Sequence, residues 1–166
     1  LTGHFVTDVS TASRTSLMNL KTLNWDPHLC DLFGVPLQCL PKIVPTTGDF
    51  GAIETRYRHT PVIVSIVDQQ AALSGFGCRH KGDAKITFGT GAFALMVTGD
   101  EVINNPKLGL LPTVAWQKKG EDPVFAVDGG VYTASAAINW ARSLGLFSDF
   151  SEINTFCTPS AIESGL

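Results

Sequence analysis

Apolar positions come along this chain in short runs, each broken by glycine, proline or polar residues. Val6 to Arg14 is rich in Ser, Thr and Asp, whose side chains bond to nearby backbone and favour turns and caps over long helices. Ser16 to Leu20 fits a short strand. Asp26 followed by Pro27 predicts a helix start, with Asp26 as N-cap and Pro27 as first helical residue. Leu29, Leu32 and Phe33 would form that helix's apolar face, and Gly34 would stop it. Pro36 to Pro45 predicts an extended connection, and Gly48 to Ile53 a turn followed by a strand. Val62 to Val67 is a β-branched run that reads as a buried strand ending at Asp68. Gln69 to Leu73 reads as a helix closed by Gly75 and Gly77.

The second half is patterned differently. Lys85 to Phe88 and Ala92 to Val97 flank Gly89, Thr90 and Gly91, which predicts a hairpin whose glycines supply unusual dihedrals. Asn104 to Gly109 reads as loop. Leu111 to Trp116 and Val124 to Val127 read as strands separated by a polar turn over Lys118 to Pro123. Asp128, Gly129 and Gly130 predict a further turn. Tyr132 to Leu144 is the best helical pattern, with Ala134, Ala137, Ile138, Ala141 and Leu144 on one face and Gly145 as its stop. Strands dominate, helices are inserted, and no repeat of solenoid spacing occurs. The glycine-spaced stretch Gly75 to Gly82 is the natural boundary.

Composition narrows the class. With 166 residues, 44% hydrophobic and 16% charged, the chain can build a core and is not of disordered type. A formal net charge of -3 predicts neither nucleic-acid binding nor a polybasic membrane contact. No stretch approaches the roughly 20 apolar residues that span a bilayer. Cys30, Cys39, Cys78 and Cys157 form no CxxC pair and match no zinc spacing, so free thiols in a reducing compartment are expected. The start at Leu1 and the end over Ser160 to Leu166 both read as cuts within a longer chain.

Three places could carry chemistry. Asp68, at a strand end where open α/β sheets place ligands, could accept a proton from a substrate hydroxyl, with Gln69 and Gln70 offering amide contacts. The alternative is that Asp68 caps the helix after it. Backbone N–H groups of Gly89, Thr90 and Gly91, with the Thr90 hydroxyl, could cradle a phosphate, or the segment could be an ordinary hairpin turn. Asp128 to Gly130 offers a third phosphate- or metal-facing turn, with the same alternative. Phe93 is a core residue or a pocket wall. Arg14 reads as an ion-pair residue. His4, His28, His59 and His80 are scattered and receive no role.

In combination, Thr7 to Leu17, Leu23 to Asp26, Asp68 to Leu73, Phe88 to Phe93, Gly109 to Trp116 and Ala136 to Trp140 resemble, in order and spacing, the glycerol kinase branch of the FGGY carbohydrate kinases. The resemblance implies an α/β, actin-like (ribonuclease H-like) ATPase fold, present only in part. Residues 1–77 would end the substrate-side first domain, and 78–166 would begin the nucleotide-side second. It implies ATP-dependent phosphorylation of glycerol to glycerol 3-phosphate or of a close polyol, with ATP and Mg2+, in the cytoplasm. Homo-oligomers remain open to the full-length protein, and the fragment itself would be inactive. By resemblance Asp68 is the catalytic base, Gln69 a substrate hydrogen-bonder and Phe93 the wall beside the carbon chain. Gly89, Thr90 and Gly91 would contact nucleotide phosphates, and Ser135 and Asn139 stand at nucleotide-contacting positions. No residue is assigned to metal. Val67, Asp128, Ser135 and Asn139 stand where the family commonly has Gly, Glu, Gly and Gln. A kinase for another sugar, or an actin-like binding paralogue without turnover, are the competing expectations. The retained Asp68 speaks against the second.

Overall fold

The structure, a computed structural model, describes residues 2–156. Cys157 and the terminal segment from Ser160 lie outside the described residues. The described residues fall into two compact units, the first comprising 2–86 and 94–129 and the second 87–93 and 130–156.

The first unit opens with strand β1 (Val6–Asp8) running directly into helix α1 (Val9–Ser13). Asp8 is the N-cap, its carboxylate accepting from the Ser10 and Thr11 N–H groups, so the Ser/Thr-rich stretch is used as a cap. A small antiparallel pair follows, β2 (Met18–Asn19) with β3 (Asn24–Trp25). Helix α2 (Pro27–Leu32) starts as its sequence dictates, with the Asp26 side chain accepting from His28 and Leu29 N–H. Gly34 ends it at φ 66°. Its apolar face is not covered as expected: Leu32 is 67% and Phe33 59% exposed, and Cys30 is the residue it buries. The expected extended connection holds a one-turn 3-10 helix at Leu37–Cys39 before β4 (Lys42–Val44), which pairs in parallel with β1.

β5 (Ala52–Glu54) and β6 (His59–Pro61) form an antiparallel pair. The following run, Val62 to Val67, corrects the buried-strand expectation. It forms an isolated bridge between Val64 and Thr47, and Ile63 and Val64 are 65% and 47% exposed. Its backbone bonds on one side to residues 46–51, as in Gly48 N–H to Ile63 O at 2.9 Å and Ser65 N–H to Thr46 O at 3.0 Å. A β-branched run reports a local backbone preference, whereas burial needs partners on both faces. Helix α3 (Asp68–Gly75) then begins.

Strands β7 (Ala84–Phe88), β8 (Ala92–Gly99), β9 (Leu111–Trp116) and β10 (Val124–Val131) form a four-stranded sheet in the order β7-β8-β10-β9. The core of the first unit lies on both faces of its strands. Leu73 of α3 packs with Leu95, Val97, Ala115 and Ala126, while Val9 and Ala12 of α1 pack with Met18, Val114 and Phe125. Adjacent residues of β9 and β10 therefore serve opposite faces, as strand periodicity requires. Full burial of Leu73 is worth about 1.5–3 kcal/mol. Asp128, Gly129 and Gly130 are not a turn: they continue β10, and Asp128 lies opposite Leu111.

In the second unit helix α4 (Ala134–Ser143) follows β10 and stops at Gly145, φ 77°. The short helix α5 (Ile153–Phe156) comes after it. The predicted apolar face is there, but it lines an open groove of 370 Å³ with Leu146, Phe147 and Ile153. Ile138 is 41% exposed. No helix among the described residues is long and apolar enough to cross a membrane.

Candidate functional site

In the first unit the site is built around the start of α3. Val67 is the N-cap residue, with φ -64° and ψ 144°, an ordinary extended conformation that a β-branched side chain adopts without strain. Its N–H donates to the Ser10 hydroxyl at 3.1 Å, and that hydroxyl donates to the buried Asp8 carboxylate at 2.5 Å. The entry to α3 is thus tied to the Asp8 cap at the start of α1. Asp68 follows as the first helical residue, so it is neither at a strand end nor the helix cap. Its side chain is exposed, and Oδ1 accepts its neighbour's Gln69 N–H at 2.6 Å. A carboxylate at a helix N-terminus is stabilised as the anion, and open to solvent it can accept hydrogen bonds from a small ligand.

Lys85 is the residue missed by the sequence. Its Nζ donates to Gln69 Oε1 at 2.6 Å from β7, where it is 8% exposed. Burial pushes the Lys85 ammonium below its usual range, while the negative charges of Asp68 and Asp128, and Cys78, pull it back up. Strand alternation gives the wrong signal here, since Lys85 points inward and its neighbour Ile86 is 59% exposed. Asp128 also accepts from the Arg14 guanidinium at 2.6 Å, which fits the ion-pair expectation for Arg14. Gln70, by contrast, is core: its Nε2 donates to Thr113 Oγ1 at 3.3 Å.

The second unit brings Gly89, Thr90, Gly91, Phe93, Ser135 and Asn139 into one neighbourhood. Gly89 N–H donates to Gly91 O at 2.7 Å, closing the tip of the β7–β8 connection. Neither glycine has positive φ, which corrects the expected reason for their presence. Gly91 is there for close approach: a Cβ would stand 2.7 Å from Val131 O and 3.1 Å from Tyr132 O. The Thr90 carbonyl accepts the Ser135 N–H at 3.1 Å and the Ala136 N–H at 3.4 Å. It satisfies the first turn of α4, whose N-cap Thr133 makes no side-chain cap bond. Asn139 lies one turn beyond Ser135 on the same helix face. Phe93 meets Tyr132 edge to face at 5.7 Å and lies over Gly130, where a Cβ would come within 2.6 Å of the ring. That close approach is the reason for glycine within the strand.

Among the described residues no three His, Cys, Asp or Glu side chains come together to hold a metal. Cys30, Cys39 and Cys78 are free thiols. His59 pairs with Glu54, both exposed, and the exposed His80 pairs with the half-buried Asp83.

Residues 1–75 match the N-terminal domain of the FGGY family of carbohydrate kinases. The chain is 42% identical over 157 residues to the glycerol kinase of Methylobacterium radiotolerans, covering 94% of this chain and 31% of that protein. It is 46% identical to that of Acidiphilium cryptum, covering 87% of this chain and 29% of the relative. The crystal structure of Plasmodium falciparum glycerol kinase with ADP superposes with a TM-score of 0.83 at 35% identity, over 90% of this chain and 31% of that one. A ligand-bound xylulose kinase from Lactobacillus acidophilus superposes at 0.73 with 27% identity, over 86% of this chain and 29% of its own. The chain therefore spans under a third of the length of the relatives it matches. From the family match, the relatives and the superposed folds together, the chain belongs to the FGGY family of carbohydrate kinases.

Proposed function

We propose that this chain carries the substrate-base segment and part of the nucleotide-facing surface of an ATP-dependent kinase that phosphorylates glycerol, or a close polyol, to its phosphate ester. The observation that carries it is the exposed Asp68 carboxylate at the head of α3, with the Gln69 amide anchored beside it by Lys85. Asp68 would take the proton of the attacking hydroxyl, Gln69 would hydrogen-bond the polyol, and Phe93 would flank its carbon chain. Phosphoryl transfer asks mainly for positioning and charge stabilisation, so a hydroxyl-orienting carboxylate is the expected protein contribution. Thr90, with Gly89 and Gly91, would approach the nucleotide phosphates, and Ser135 and Asn139 would contact the nucleotide from one face of α4.

Magnesium would neutralise charge on the transferring phosphates. The cation would be held largely by phosphate oxygens and water. We place the boundary between the two domains of the full-length protein after residue 77, and we place the protein in the cytoplasm, which the free thiols support. The isolated chain would not turn over, because it spans under a third of the length of the relatives it matches. A kinase for another sugar is the second reading, supported by the likeness to the xylulose kinase.

An ATP-coupled assay of the full-length protein over glycerol, longer polyols and pentuloses tests the reading. Glycerol or a short polyol should give the highest kcat/KM. Preference for a pentulose would move the assignment to the second reading, and phosphorylation by the isolated chain would overturn the fragment account.

A further inference from the structure

We propose that Lys85 is a positioning residue for the polyol site, fixing which end of the Gln69 carboxamide meets the substrate. The inference rests on the proposed role of Gln69 as a polyol contact. An ammonium has three donors and no acceptor, so the amide oxygen, not its nitrogen, must face Lys85. The 2.6 Å separation is that of a charge-assisted bond. With Oε1 committed to Lys85, the amide directs its nitrogen the other way, and Gln69 acts toward a polyol as a hydrogen-bond donor to a hydroxyl oxygen. The adjacent Asp68 accepts, so the two neighbours would present a donor and an acceptor, the pair that one hydroxyl group satisfies. A sugar carbonyl, which only accepts, would use the Gln69 half alone.

Burying an ammonium is costly unless it is paired, and Lys85 lies 8% exposed on β7. Among the charged and titratable groups that act on it are Asp68 at the head of α3, Cys78 beyond the end of α3, and Asp128 on β10; Arg14 shares Asp128. Burial lowers its proton affinity below that of an ordinary lysine, whose value is 10.5. Once neutral, the amine can accept as well as donate, and the amide loses its fixed sense. Polyol recognition should then weaken as pH rises toward 10.5 from below.

The test uses the full-length enzyme with ATP and glycerol. Lys85→Met should raise the KM for glycerol by about tenfold or more, the loss expected of one oriented hydrogen bond, with the KM for ATP changed less than about twofold. In a Gln69→Ala background the same substitution should add nothing. Lys85→Arg, which keeps a charge that does not titrate, should recover part of the affinity and abolish the rise of KM with pH. Equal damage to both KM values and kcat, or full additivity with Gln69→Ala, would overturn the proposal while leaving the kinase reading standing. A wild-type enzyme that phosphorylates no polyol would remove both. Independently of turnover, the Gln69 side-chain amide resonance should shift as the Lys85 ammonium titrates, at lower pH than an ordinary lysine. An amide signal indifferent to that titration would break the contact itself.

Discussion

Ser10 holds the backbone of Val67: its hydroxyl accepts the Val67 N–H at 3.1 Å and donates to the Asp8 carboxylate at 2.5 Å. Asp8 and Ser10 are both fully buried, and Asp8 also receives the Thr11 hydroxyl at 2.5 Å. Two segments more than 50 residues apart in sequence are joined here, and the residue after Val67 is Asp68. Ser10→Ala removes one donor from a buried carboxylate and the acceptor of the Val67 N–H. It should cost about 1–3 kcal/mol, the usual penalty for stranded buried polar groups. Urea denaturation should show a lower midpoint with an unchanged slope.

The tip of the β7–β8 connection makes a paired prediction. Gly91→Ala places a methyl 2.7 Å from the Val131 carbonyl, a backbone atom that cannot step aside cheaply, and should lower stability by about 1–3 kcal/mol. At Gly89 the nearest atom would be Gly91 O at 3.9 Å, and φ is not positive, so Gly89→Ala should fold almost as the parent does. Thermal melts of the two variants, compared side by side, check this. Equal damage from both would mean the glycines serve the turn and not the close approach.

Asp26 supplies a pH dependence. Its carboxyl is held below its ordinary value of 3.8, first by the Asn19 side-chain amide and then by the Leu29 backbone N–H; burial opposes them, and the His28 backbone N–H and charge add to the lowering. The folded chain therefore binds the proton less readily than the unfolded one. The stabilisation from this cap is fully present above 3.8 and is lost as pH falls through the lower folded value. Carbon-13 titration of Asp26 should give a midpoint below 3.8, and Asp26→Asn should flatten the fall of stability with acid in that window.

Local chemistry in the sequence was informative wherever one residue's backbone demand decides the structure. Asp26 with Pro27 starts α2, and Gly34 and Gly145 end α2 and α4 at positive φ. The order of strands β7 to β10 also follows from their apolar runs and the breaks between them. What was not legible depends on partners far along the chain. Val62 to Val67 has strand-forming residues, but its two exposed side chains, Ile63 and Val64, show that preference without burial. Asp128 to Gly130 looks like a turn until Phe93 is known to need the space over Gly130. Asp68 and Gln69 could be singled out from sequence and resemblance, yet Lys85 could not. A lysine in a strand is read as a surface residue, and only its distance to Gln69 and its burial mark it otherwise.

The central claim is that Asp68 is the proton acceptor. Its side chain is exposed and takes no part in the core, so Asp68→Asn should leave the fold intact. In the full-length protein carrying this chain, turnover with glycerol should fall by about 10²–10⁴-fold, the range for removing a general base, while ATP binding stays near the parent value. Near-normal turnover of that variant, with the parent active under the same conditions, would contradict the account.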